Sequence, residues 1–168
     1  MNRLENFSKQ IEEKTNQILA LVELPEEEIR WKPSEQEWSI LQVLCHVKES
    51  MQFWLNDLTK VVKENAPQFG RTLNHPGRLQ AVENTDKLTI EEVKQDLKKQ
   101  KDFLVHSLQT DFEDADLDIE RPHVNPKFGV KPMEFLIVHF LVEHLDKHIQ
   151  QIKRNIQKYK SQVLRCNS

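Results

Sequence analysis

The stretch "SILQVLCHVKESMQFWLNDLTKVV", residues 39–62, decides the fold. Ile40, Val43, Leu44, Val47, Met51, Trp54, Leu55, Leu58 and Val62 recur at three- and four-residue spacings. At about 100° per residue they make one broad apolar stripe on an α-helix. Ser39 opens the run with a hydroxyl that can accept from a first-turn N–H, and Gln42 follows at the spacing of a capping box. The helix should stop near Asn65-Ala66-Pro67, because the residue before a proline is disfavoured in helical geometry.

Three more runs read the same way. Residues 2–24 carry Leu4, Phe7, Ile11, Ile18, Leu21 and Val22 at helical spacing, and Pro25 ends them. A third helix begins at "TIEE", where Thr89 and Glu92 predict another capping box, and runs to about Gln109 with Val93, Leu97, Phe103 and Leu104 inward. Pro132, favourable in a first turn, opens a fourth that continues to about Gln162. Four long helices in 168 residues give an all-α fold, a four-helix bundle forming one domain over 1–168.

The connections are uneven. "PEEEIRWKPSEQEW" (25–38) holds two prolines and room for one helical turn. Residues 65–88 read as a long loop, with "RLQAVEN" a candidate short helix; loops of this length often cover a site. Residues 110–131 are polar and turn-rich, and "NPKFG" suits a turn or a hairpin-like excursion. Long second-to-third and third-to-fourth connections permit crossovers that a simple up-down-up-down bundle would not need.

Composition narrows the function. Only three glycines favour helix over sheet. A net charge of −3, with basic and acidic residues interleaved, argues against nucleic acid as a partner. No apolar run approaches the roughly 20 residues of a membrane span, and the polar start is unlike a signal peptide. Two cysteines, Cys45 and Cys166, make no disulfide framework. The expectation is a cytoplasmic protein with no membrane partner.

The chemistry lies in "HLDKHIQQI", residues 144–152. On a helical wheel, Met133, Leu136, Ile137, Phe140 and Leu141 define an apolar arc. His144 falls near its middle and His148 about 40° further round, while His139 lies on nearly the opposite face. Two readings stand: core histidines bonded to backbone or carboxylate groups, or two ligands of one cation that would satisfy both imidazoles at once. Leu145 occupies the place where a zincin has its catalytic glutamate, so that motif is excluded. A third ligand would come best from His46, which flanks the stripe of the second helix. His75, His106 and His123 read as solvated. Cys45 reads as a small packing residue, and Trp38, Phe53 and Trp54 as helix-packing aromatics.

The order "WSILQVLCHV", preceded by "WKPSEQEWS" and followed late by "HLDKHIQQI", resembles the DinB/YfiT-like superfamily from about residue 4 to 160. The resemblance implies an up-down-down-up bundle. It also implies a divalent metal, zinc or nickel, on His46, His144 and His148, and pairing as a homodimer. Some relatives are transferases using low-molecular-weight thiols such as bacillithiol, one type is a thiol-dependent isomerase, and others are labelled metal-dependent hydrolases.

Three histidines would leave an open position on the metal for water or a substrate atom. The expected function is therefore a metal-dependent enzyme on a small-molecule substrate, either a thiol S-transferase with a thiol cosubstrate acting on small electrophiles or a hydrolase. The alternative is a non-catalytic metal-binding stress-response or interaction protein. A hydrolase would want a general base. Glu49, one turn from His46, and Glu143, beside His144 but leaning off the seam, are candidates, though each reads first as an exposed surface carboxylate. Gln151, two turns beyond His144, could contact substrate, orient a ligand or simply pack.

Overall fold

Ser39 and Gln42 close both halves of the expected box: the Gln42 N–H donates to Ser39 Oγ (3.1 Å), and the Ser39 N–H donates to Gln42 Oε1 (2.9 Å). The computed structural model describes residues 2–167; Met1 and Ser168, the ends of the expected 1–168 domain, lie outside the described residues. The elements are α1 (Arg3–Leu21), α2 (Glu26–Arg30), α3 (Ile40–Glu64), α4 (Pro76–Gln80), α5 (Ile90–Thr110), β1 (Glu120–Pro122), β2 (Val130–Pro132), α6 (Met133–Ile137) and α7 (Glu143–Cys166). Single 3₁₀ turns lie at Thr85–Lys87 and Asp114–Asp118, and a π turn at Val138–Val142 joins α6 to α7 as one long helix.

Helix directions follow from which side chains meet. Arg3 pairs with Glu134 (3.0 Å) and Lys14 with Asp146 (2.7 Å), so α1 runs parallel to the last helix. Glu12 with Lys101 (3.4 Å) and Glu23 with Lys94 (3.9 Å) set α1 antiparallel to α5. Lys48 meets Asp96 (3.8 Å) and Lys63 lies over the Phe112 ring (5.5 Å), so α3 and α5 are parallel. Trp54 stacks on Phe140 (4.0 Å) while His46 meets His144, so α3 is antiparallel to α6–α7. The bundle is up-down-down-up. α1 and α3 each pack against α5 and the last helix, which places α1 and α3 on one diagonal.

The core is the sum of four apolar stripes, with Ile11, Ile18, Leu44, Leu58, Leu97, Leu104, Leu136 and Ile152 excluded from solvent. Several expectations need correction. Val61, not Val62, is the buried valine at the end of α3. Phe103 is 59% exposed, and its place inside α5 is taken by Lys101, whose aliphatic stem is buried while its amine meets Asp102 (2.7 Å) and Glu12. Thr89 accepts from the Glu92 N–H (3.2 Å), a simple N-cap rather than a reciprocal box. Pro132 stands at the N-cap in extended geometry, ahead of the first turn, and α7 runs past Gln162 to Cys166.

Both long connections are anchored to each other. β1 and β2 pair antiparallel around the "NPKFG" turn. Phe69 joins β1's exit through a parallel bridge to His123, with the Phe69 N–H donating to Pro122 O (3.1 Å) and the Val124 N–H to Phe69 O (2.7 Å). Gly70 follows at φ +97°, a value only glycine adopts freely, and its N–H donates to Asp57 Oδ2 (2.6 Å). The 78–84 helix expected from "RLQAVEN" begins earlier, at Pro76 with His75 as its cap, and ends at Gln80.

Candidate metal centre

The π turn decides where the histidines point. It inserts one extra residue into the helical repeat, so the stripe that begins at Met133 and Ile137 continues through Val142, Leu145, Ile149 and Ile152. His144 is thereby rotated from the middle of the stripe to its flank, while His148 stays buried beside Ile149 and Ile152. His144 is half-buried rather than central, and both rings turn toward α3. On α3, His46 also stands beside its stripe and is 3% exposed.

Three imidazoles meet there. His46 Nε2 and His148 Nε2 each lie 3.0 Å from His144 Nε2. A single set of ligand nitrogens from the three residues fits within 4.8 Å. His148 Nδ1–H donates to Gln151 Oε1 (2.7 Å), which leaves the His148 Nε2 lone pair facing the other two rings. His46 Nδ1 is buried without a protein partner, and its ring is backed by Trp38 at 4.9 Å.

Burial drives the electrostatics. It pushes the His46 imidazole down to about 2, helped by His148 and by Arg78, Arg71 and Lys147. It holds His144 well below the usual range, with His148 and His46 acting the same way. His148 is pushed down to about 4 by burial, against the opposing hydrogen bond to Gln151. All three are neutral at pH 7, the protonation state that ligates metals. Two neutral nitrogens can share one proton, but three converging Nε2 atoms cannot all be satisfied by each other. A cation satisfies all three, so the residues fit a divalent metal.

The cluster opens onto a cavity of about 810 Å³. Its walls come from α3, α7, the 71–78 segment and the 125–128 turn, so the two long connections do shape it. Trp38, from the connection before α3, and Trp54, on α3, line this space as well as packing.

Residues 10–152 match the sequence model of the DinB superfamily. The chain belongs to the DinB superfamily. Among solved structures, YfiT from Bacillus subtilis, described as "a probable metal-dependent hydrolase with an unusual four-helix bundle topology", superposes with a TM-score of 0.77. The identity is 14%, over 94% of this chain and 88% of that one. Comparison with curated proteins gives no match. No helix among the described residues of this DinB-superfamily chain is long and apolar enough to cross a membrane.

The other candidate residues divide sharply. Glu49 is not a surface carboxylate: both its oxygens are held by Arg71 (2.6 and 2.7 Å), whose side chain is 5% exposed. It is not free to act as a base. Glu143 is exposed and meets His139 Nδ1 (3.2 Å). Gln151 orients His148. His106 is exposed as expected, but His75 is half-buried, accepting from the Gly77 N–H (3.1 Å). His123 is 5% exposed amid Trp54, Phe69, Phe128 and Phe140. Proline and glycine neighbours marked its loop as polar; the aromatic cage comes from elements distant in sequence. Arg71, buried in a loop, and Arg78, half-buried on α4, also shape the site, and nothing local in the sequence distinguishes either from a solvated arginine.

Proposed function

We propose that the protein is a metal-dependent enzyme in which His46, His144 and His148 hold a divalent cation, zinc or nickel, through Nε2. The single observation that carries this reading is the convergence of three imidazole nitrogens, two of them 3.0 Å from the third and all within 4.8 Å, beside an open cavity. When bound by three imidazoles, such a cation is a Lewis acid with a free position that can acidify water or a thiol at neutral pH.

The chain's own residues set the rest. Gln151 holds the His148 proton on Nδ1 and keeps Nε2 available. Trp38 covers one face of His46 and keeps water from that side. Every carboxylate near the cluster is already engaged: Glu49 by Arg71, Glu143 by His139, and Glu37 by Lys158 (3.0 Å). That favours a nucleophile needing no carboxylate base, such as a low-molecular-weight thiol transferring sulfur to a small electrophile. Hydrolysis, the activity ascribed to YfiT, is the second reading, supported by the shared fold.

The test is elemental analysis of tag-free protein with His46→Ala, His144→Ala and His148→Ala, alongside thiol–monochlorobimane and ester assays. About one equivalent of metal in the parent, lost in each variant together with turnover, is the expected result. Metal retained by all three variants would refute the site. Bound metal without turnover on any thiol or ester would leave a metal-binding protein without catalysis.

A further inference from the structure

The charge on the cavity wall is opposite to that of the chain. Six basic side chains (Arg71, Arg78, Lys127, Lys147, Arg154 and Lys158) line it against two carboxylates, Glu37 and Glu143, in a protein of net charge −3. The carboxylates neutralise only two of these charges, Lys158 and Arg71. Glu37 is bound by Lys158, Glu143 by His139, and Glu49, behind the wall, is taken by Arg71 on both oxygens. Among the described residues, no carboxylate is within ion-pair distance of Arg78, Lys127, Lys147 or Arg154.

The arrangement is also directional. Lys147 and Arg154 lie on the same face of α7 as His144, His148 and Gln151, all lining the cavity. At about 1.5 Å per residue, seven residues set their backbones about 10 Å apart along the helix, a gap that two long basic side chains can close on one anion. Arg78 faces the space from α4, steadied by a hydrogen bond to Leu73 O (3.1 Å) and by Trp38, whose ring centre is 5.8 Å from the guanidinium carbon. Half-burial and the nearby Arg71 charge both press on the Arg78 guanidinium, lowering its pKa. An anion beside it would relieve both. Trp54, Phe128 and Phe140 give the cavity an apolar side for the rest of a ligand.

We propose that the cavity takes a small-molecule anion, a carboxylate or phosphate whose charged group is held by Arg78, Lys147 and Arg154 while its reacting end reaches the three histidines. Only the last clause rests on the metal-enzyme reading. The grip itself is charge-assisted hydrogen bonding, in which a guanidinium matches either oxyanion.

Full-length protein of measured metal content is titrated calorimetrically with inorganic phosphate, succinate and neutral succinamide. Parent, Arg78→Gln, Lys147→Gln/Arg154→Gln and His148→Ala proteins are compared, with circular dichroism melts to verify folding. The exposed Lys147 and Arg154 keep the double variant informative even if Arg78→Gln unfolds. Saturable binding of phosphate or succinate is expected, weaker by about 10-fold or more in Arg78→Gln and by several-fold in the double variant, with succinamide inert. The tighter of the two anions names the substrate's charged group. Absence of saturable anion binding, equal binding in parent and cation-less variants, or equal binding of succinamide would overturn the inference. Binding lost in His148→Ala alone would place the anion on the metal and overturn it too. Binding retained in protein that never holds metal would support it while refuting the metal site.

Discussion

Gly70→Ala probes how the cavity wall is held. A methyl group at this position would stand 2.6 Å from both Cδ2 and Cε1 of His123, well inside contact distance. The ring cannot simply swing away, because it is buried against Phe69, Trp54, Phe128 and Phe140 and accepts from the Asn125 N–H at Nδ1 (2.8 Å). Forcing such a ring aside costs about 1–3 kcal/mol by overpacking. Holding alanine at φ +97° adds about 1–3 kcal/mol of backbone strain. A central sum of about 3–4 kcal/mol corresponds to a melting-temperature loss of about 6–16 °C for a chain of this size. The assay is a double-mutant cycle with His123→Ala, read by urea and thermal unfolding. Removing the ring relieves the overlap but not the strain, so a coupling of about 1–3 kcal/mol is expected. A loss under about 2 °C, or strictly additive variants, would refute the account. Arg71 follows directly in sequence, so Gly70→Ala should also loosen its pair with Glu49.

Gln151→Leu should weaken metal binding by about 10- to 100-fold while leaving the melt of chelator-treated protein nearly unchanged; Gln151→Glu, which still accepts from Nδ1–H, should recover much of the affinity. In chelator, stability should fall as pH drops below about 6.5. The unfolded histidines protonate near that value, whereas folded His148 does so near 4 and folded His46 near 2, so the unfolded chain binds the extra protons. The slope approaches about 1.4 kcal/mol per pH unit for each histidine, and unchanged urea midpoints between pH 7.5 and 5 would contradict it. Ser39→Ala should cost about 1 kcal/mol, a melting shift of about 2–4 °C, because it unmakes the α3 cap; no shift would mean the cap is redundant.

Local chemistry was what could be read directly. The Ser39–Gln42 box, the breaks at Pro25 and Pro67, and the stripes of α1 and α3 up to their last turns depend on residues a turn apart, and they stand where the spacing puts them. A wheel drawn through residues 133–148 assumes an unbroken α-helix. The π turn breaks that assumption, so His144 was placed in the middle of a stripe whose flank it occupies. Phe103 and Lys101 were exchanged for a different reason: two residues apart, they compete for the core, and Glu12 on α1 with Asp102 makes the lysine the inward choice. The engagement of Glu49 could not be read at all, since its partner lies 22 positions away in a loop.

The parallel pairing of α1 with the last helix, and of α3 with α5, bears on the order of assembly. In a plain up-down bundle, helices adjacent along the chain meet as hairpins and can condense early. Here the main interfaces join segments separated by dozens of residues, which predicts slower collapse than a helical protein of this size would usually show. The imidazole cluster needs the final helix. A chain that ends short of His148 therefore lacks one of the three nitrogens that meet at the cluster, and the site is completed only as the last helix of the bundle is synthesised.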